Sequence, residues 1–123
     1  MIAIDTSVWI DFFRGALPLV KDLLLVGHIV HPPTVTGELA MGNLRERSRT
    51  IAFLQQLEPL ALPADQAVLN FVCDNDLYGT GIGWGDAQIV SAVAHAGRCR
   101  LWTRDKRLHD QALRLGLAYT IPG

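Results

Sequence analysis

The chain has 123 residues, half of them hydrophobic, and its 11 Lys and Arg nearly balance its 12 Asp and Glu. This size and apolar content indicate a single compact domain, residues 1–123. Because the charges balance, a nucleic-acid ligand would have to be held by local basic patches. No apolar run approaches the ~20 residues of a membrane span, and an acid at position 5 does not fit a signal peptide, so we expect a cytoplasmic protein.

Apolar periodicity predicts alternating strands and helices along the chain. The predicted strands are short apolar runs at residues 2–4, 28–31, 100–103 and 117–121. The predicted helices lie at residues 6–13, 18–26, 34–44, 45–57, 64–77, 86–96 and 106–115. Alternating strands and helices with short connections imply right-handed crossovers, so we predict an α/β fold with a central parallel sheet covered on both faces.

Four carboxylates stand close to the predicted ends of these strands. Asp5 follows the first strand directly, and Glu38 lies in the helix after the second. Asp86 begins a helix after a loop with four glycines in eight residues, and Asp105 follows the strand at residues 100–103. Because ligands bind outside the carboxyl ends of parallel strands, we expect the four acids to converge there.

Each acid also has a structural explanation. Asp5, Asp86 and Asp105 stand where an acid can cap a helix or interact with its amino-terminal dipole. Glu38 has apolar neighbours in its helix, so we expect it to be buried and to need a partner.

Together, however, converging carboxylates repel by ~4 kcal/mol per pair at an effective dielectric constant of 20. A divalent cation removes that repulsion. A ligand set of hard oxygens favours Mg²⁺ or Mn²⁺ over Zn²⁺, and this combination indicates metal-assisted phosphodiester hydrolysis.

Short sequence motifs surround each of these acids. They read D-T-S-V-W-I at residues 5–10, G-E-L at 37–39, G-W-G-D-A-Q-I-V at 83–90 and L-W-T-R-D at 101–105. In this order they resemble the motifs of PIN-domain ribonucleases, and specifically of the VapC toxins of bacterial toxin-antitoxin modules. The resemblance covers essentially the whole chain.

This resemblance implies a PIN-like α/β/α sandwich with Mg²⁺- or Mn²⁺-dependent endoribonuclease activity on structured RNA such as tRNA or rRNA. It also implies a homodimer, a cognate VapB-type antitoxin that blocks the site, and a larger toxin-antitoxin assembly. Carried over by position, the metal-binding and catalytic residues are Asp5, Glu38, Asp86 and Asp105. Thr103 becomes a polar neighbour that orients a ligand or water.

One position departs from the family pattern. Many relatives have an asparagine two residues after the threonine and an acid three residues further on. Here those positions hold Asp105 and Leu108, so Asp105 alone supplies the last carboxylate.

Basic residues beside Asp105 are candidates for binding the substrate phosphates: Arg104, Lys106 and Arg107. Phosphate contacts of this kind predict an RNA affinity that falls with salt. A second basic cluster lies at residues 45–49, and either cluster also fits an ordinary solvated surface. The apolar residues of the first two helices exceed what one buried face needs, which fits an antitoxin groove or a dimer face.

Two alternatives remain at this point. A catalytically silent module would use the same crevice only to bind RNA or a protein partner. A structure-specific DNA nuclease of related fold would carry additional acids and a helical clamp, for which this chain is too short.

Overall fold

The computed structural model describes residues 1–121, which form seven helices and three strands. In chain order these elements are β1 (Ile2–Ile4), α1 (Thr6–Phe13), α2 (Pro18–Leu25), β2 (Ile29–Val30), α3 (Pro33–Ala40), α4 (Arg47–Gln55), α5 (Asp65–Asp74), α6 (Trp84–Ala96), β3 (Arg100–Trp102) and α7 (Lys106–Arg114). No helix in this range is long and apolar enough to cross a membrane.

The three strands form a sheet in the order β2-β1-β3, and all its pairs are parallel, as predicted. Strand β1 lies in the centre, where Ile2 pairs with Ile29 on one side and Ile4 pairs with Trp102 on the other. Since all three strands run in the same direction, their carboxyl ends lie at one edge of the sheet. The chain segments that follow β1, β2 and β3 therefore begin at a common edge.

The core lies between the sheet and the helices packed on it. Ile4 and Leu101, on neighbouring strands, are almost completely buried. Helix α6 buries six residues, from Ala87 to Val93, because small and β-branched apolar side chains cover most of its surface. The architecture is consistent with a PIN-like α/β/α fold, and the predicted fold class is confirmed.

Several predicted elements differ from the structure. Helix α3 ends at Ala40 rather than at residue 44, and α5 ends at Asp74 rather than at residue 77. Helix α6 begins at Trp84 rather than Asp86, because Gly83 takes an extended conformation as its N-cap. The predicted strand at residues 117–121 is reduced to one bridge, in which Ala118 pairs with Leu101. Strand β3 is only three residues long, so this segment finds few residues to pair with.

Candidate active site

Asp5 is held at the end of β1 by hydroxyl groups from two distant parts of the chain. Its carboxylate is 5% exposed, and its Oδ2 accepts hydrogen bonds from Ser7 Oγ at 2.9 Å and Thr103 Oγ1 at 2.7 Å. The backbone N–H groups of Arg104 and Asp105 in turn donate to those hydroxyls. Within residues 1–121, Oδ1 accepts no side-chain hydrogen bond, so this oxygen is available to a ligand.

This network contradicts the structural explanation of Asp5 as a helix cap. Asp5 occupies the N-cap position of α1, but its side chain makes no capping hydrogen bond. Its interactions instead fix the carboxylate in one orientation. An oriented acid with one free oxygen is suited to binding a cation.

Glu38 is exposed, and the prediction that it is buried is wrong. The buried face of α3 carries Val35 and Leu39, and the 3.6-residue period turns Glu38 away from it. Its Oε2 accepts a hydrogen bond from Thr6 Oγ1 at 2.9 Å. A Cβ atom on Gly85 would lie 3.8 Å from Glu38 Oε1, so the carboxylate lies close to the start of α6.

Asp86 and Asp105 both stand at helix amino termini, where the sequence analysis expected an acid to cap the helix or to interact with its dipole. Asp86, in the first turn of α6, accepts a long hydrogen bond of 3.4 Å from Gly83 N–H. Asp105 is the N-cap of α7, and its Oδ1 accepts from Leu108 N–H at 3.2 Å. Each carboxylate uses only one oxygen in this way, so capping does not exhaust either of them.

The charges of neighbouring acids contribute to the raised pKa values of Glu38 and Asp86. Desolvation raises the pKa of Glu38 above its ordinary 4.5, the Thr6 hydrogen bond opposes this, and the charges of Asp5 and Asp86 raise it further. Desolvation likewise raises the pKa of Asp86, with added contributions from the charges of Asp5 and Asp105 and an opposing one from its backbone hydrogen bond. The carboxyl edge of the sheet is therefore a region of concentrated negative charge.

The chemistry of this donor set suits a hard divalent cation, since all four side chains offer carboxylate oxygens. In the part of the chain that the structure describes, no three His, Cys, Asp or Glu side chains are already arranged to hold a metal. The Asp5 carboxylate is buried and fixed, whereas Glu38 and Asp105 are exposed and each leaves one oxygen without a side-chain or backbone donor within residues 1–121. The donor set fits a cation bound mainly by one preoriented carboxylate.

Two of the predicted phosphate-binding residues make surface ion pairs. Arg104 Nε lies 3.0 Å from Asp11 Oδ2, and this pair is partly exposed. Lys106 Nζ lies 3.0 Å from Asp110 Oδ2, one helical turn further along α7. Such exposed pairs are weak, so both cations can exchange their partners for a phosphate.

Arg107 packs on the glycine-rich loop that precedes α6. Gly81 has φ near +90°, and a Cβ atom there would lie 2.9 Å from Arg107 Cδ. Only glycine fits both this left-handed conformation and the close approach. The loop therefore places the Arg107 side chain beside the segment that leads to Asp86.

The second basic cluster, at residues 45–49, has mainly structural contacts. Arg47 donates to the carbonyl oxygens of Ala40 and Gly42, at the end of α3. Arg49 pairs with Glu46 on the exposed surface. These contacts support the interpretation of this cluster as an ordinary helix surface.

Sequence reasoning missed the role of two hydroxyl residues, Thr6 and Ser7. They follow Asp5 directly. Thr6 donates a hydrogen bond to Glu38, and Ser7 donates one to Asp5. The signal was the pair of small hydroxyl residues at the start of a helix, immediately after a strand-end acid. Their partners lie elsewhere in the sequence, so the pattern alone did not reveal them.

Two curated ribonucleases match this sequence along nearly its whole length. The chain is 37% identical over 118 residues to Ribonuclease VapC32 of Mycobacterium tuberculosis, in both strain CDC 1551 / Oshkosh and strain ATCC 25618 / H37Rv. The match covers 96% of this chain and 95% of each relative. No protein-family model matches the sequence.

Proposed function

The chain belongs to the VapC family of PIN-domain ribonuclease toxins, and from this we propose that it cleaves structured RNA such as tRNA or rRNA in a reaction dependent on Mg²⁺ or Mn²⁺. The observation that carries this proposal is the fixed Asp5 carboxylate in an acidic crevice at the carboxyl edge of the sheet. Membership of a ribonuclease family supports the reaction type. The oxygen-only donor set supports the choice of metal.

In this proposal Asp5, Glu38, Asp86 and Asp105 hold the cation. When bound, the cation supplies Lewis-acid activation of water and neutralises charge on the phosphate. Ser7 and Thr103 keep the Asp5 carboxylate in place through their hydroxyl groups. No protein nucleophile is required for this hydrolysis.

The substrate phosphates are neutralised by Arg104, Lys106 and Arg107. All three are exposed and lie at or just before the start of α7, next to Asp105. Their positive charges offset the acidic crevice, which would otherwise repel the RNA backbone. The affinity for RNA therefore decreases as the salt concentration rises.

A VapB-type antitoxin inhibits the enzyme, and the enzyme forms a homodimer within a larger toxin-antitoxin assembly. Support for a protein partner comes from the apolar end of α2, where Leu25 is 76% exposed and Val26 61% exposed. Exposed apolar side chains of this kind are typical of protein interfaces. Co-expression with the product of the adjacent reading frame, with and without Leu25→Asp, tests this surface. Unchanged inhibition of Leu25→Asp would exclude α2 as the antitoxin contact.

The central experiment is cleavage of total RNA by the purified protein with Mg²⁺, with EDTA, and after Asp5→Asn. We expect cleavage only with the cation and the native acid. Asp74→Asn is the matched control, because that exposed carboxylate has no hydrogen bond or ion pair within residues 1–121 and lies on α5. Cleavage that survives EDTA would refute the metal requirement, and RNA binding without cleavage would favour the silent module.

A further inference from the structure

A cavity of about 430 Å³ lies beside the acidic site, between the end of β3, helix α7 and the segment at residues 117–121. Its lining includes the aromatic side chains of Trp102 and Tyr119 together with Arg104 and His109. This volume falls in the range of pockets that bind small organic groups.

None of the four acids is among the lining residues, but Thr103, which lines the cavity, links it to the acidic site. Thr103 Oγ1 lies 2.7 Å from Asp5 Oδ2, so one residue contacts both the cavity and the candidate metal ligand. Arg104 also lines the cavity, and its backbone N–H donates to Ser7 Oγ, the other hydroxyl on Asp5. A ligand in the cavity would thus lie next to a group bound at the acids.

Arg104 provides positive charge between the cavity and the acidic site. Its Nε is paired with Asp11, while within residues 1–121 its two terminal nitrogens have no hydrogen-bond partner. A guanidinium with free terminal nitrogens matches the oxygens of a phosphate. The arrangement suits a ligand with a phosphate near the acids and an uncharged group in the cavity.

The cavity wall matches the chemistry of a nucleobase. The half-buried Tyr119 ring supplies the accessible aromatic surface and packs against the buried Trp102 ring, 5.4 Å away at 49°. Leu17 and Ile121 add apolar surface. His109 is half-buried and brings ring nitrogens to the wall. A nucleobase has apolar faces and hydrogen-bonding edges, and proteins bind unstacked bases on aromatic side chains.

We propose that this cavity binds one nucleobase of the RNA, adjacent to the phosphate at the acidic site, and so determines which nucleotide stands next to the cut. The proposal rests on the proposed ribonuclease function and specifies its substrate recognition. Sequence preference arises because the cavity accepts some bases better than others.

The first test measures binding without cleavage. The NMR signals of the His109 and Tyr119 side chains are followed during titration with each of the four ribonucleoside 5′-monophosphates and with ribose 5-phosphate. We expect at least one mononucleotide to shift both signals, and ribose 5-phosphate to leave them unchanged. Equal shifts with ribose 5-phosphate, or no shift with any nucleotide, would overturn the proposal.

The second test measures cleavage preference on RNA of randomised sequence by sequencing the fragment ends. Tyr119→Ala is expected to weaken mononucleotide binding by about tenfold, the loss of one stacking contact, and to reduce the base preference beside the cut because no base is then held in the cavity. His109→Ala and Ile121→Ala remove partly exposed side chains that the fold does not need, so they test the cavity if Tyr119→Ala fails to fold. Matched controls are His28→Ala and Leu113→Ala, both exposed and outside the cavity wall.

A preference that is unchanged in His109→Ala and Ile121→Ala would refute the cavity's role in recognition. The two tests also separate this inference from the proposed function. If the native protein cleaves no RNA, the ribonuclease proposal fails, while the mononucleotide titration still decides whether the cavity binds a base.

Discussion

At the scale of single residues, the site depends on how Asp5 is oriented. Thr103 lies 98 positions after Asp5, yet its hydroxyl makes the shortest hydrogen bond to the carboxylate. Ser7 makes the second, and both hydroxyls are themselves held by backbone N–H groups. The position of the acid is thus determined by the backbone that follows β3.

Removing this support should weaken cation binding without removing any proposed ligand. We expect Ser7→Ala combined with Thr103→Val to raise the Mg²⁺ concentration needed for half-maximal cleavage by about 10- to 100-fold, as for other residues that orient metal ligands. The measurement is the cleavage rate against Mg²⁺ concentration, with the exposed Ser48→Ala as control. An unchanged Mg²⁺ dependence would show that Asp5 does not need these hydroxyls.

The raised pKa values of Glu38 and Asp86 predict a specific dependence of stability on pH. A folded protein that binds protons more tightly than the unfolded chain loses stability as pH rises through the interval between the unfolded and folded pKa values. For Glu38 this interval begins near 4.5, and for Asp86 near 3.8. Ionisation of either acid therefore destabilises the metal-free fold.

We accordingly expect Glu38→Gln to raise the melting temperature in EDTA at pH 7, and to have little effect below pH 4, where the native acid is protonated. Glutamine keeps an oxygen that accepts the Thr6 hydrogen bond, so the charge is the main change. Thermal unfolding of both proteins across this pH range is the measurement. A Glu38→Gln protein that is less stable at pH 7 would contradict the repulsion between the acids.

At the scale of elements, helix α7 gives Asp105 two roles. The helix begins at Lys106, directly after an acid that both caps it and faces the crevice. Residues 106–115 were predicted as this helix, and the structure has Lys106–Arg114. The apolar periodicity of the sequence predicted α7 correctly because the buried residues of this helix repeat at helical spacing.

Two substitutions of Asp105 should separate the two roles. Asparagine is as good an N-cap as aspartate, whereas alanine loses the cap and costs about 1 kcal/mol. We expect Asp105→Asn to keep the stability of the native protein and to lose RNA cleavage. Asp105→Ala should also lose cleavage and should be about 1 kcal/mol less stable. Urea unfolding and RNA cleavage of each variant are the measurements. Full cleavage by Asp105→Asn would remove Asp105 from the set of metal ligands.

At the scale of the whole molecule, a cation shared by separate segments should stabilise the fold. The proposed ligands lie directly after β1, in α3, at the start of α6 and directly before α7, so they meet only in the folded chain. A ligand of the folded state at 100 times its dissociation constant adds about 2.7 kcal/mol to the unfolding free energy. This figure already includes the relief of repulsion between the acids, because that relief is part of the binding free energy of the cation.

We therefore expect Mg²⁺ to raise the melting temperature of the native protein in a saturable way, and to have a much smaller effect on Asp5→Asn. Differential scanning calorimetry over a range of Mg²⁺ concentrations at constant ionic strength is the measurement, since constant ionic strength removes general screening. Equal stabilisation of the two proteins would indicate non-specific screening rather than a bound cation.

The sequence by itself determined the order of most elements, the parallel sheet, and the location of three acids after its strands and of a fourth at the start of α6. These follow from local patterns, because apolar periodicity and strand-end positions are properties of neighbouring residues. Only the tertiary structure decided that Glu38 is exposed, that Thr103 and Ser7 hold Asp5, and that the last predicted strand makes a single bridge. Those features depend on contacts between residues far apart in the chain, and such contacts exist only once helices pack against the sheet.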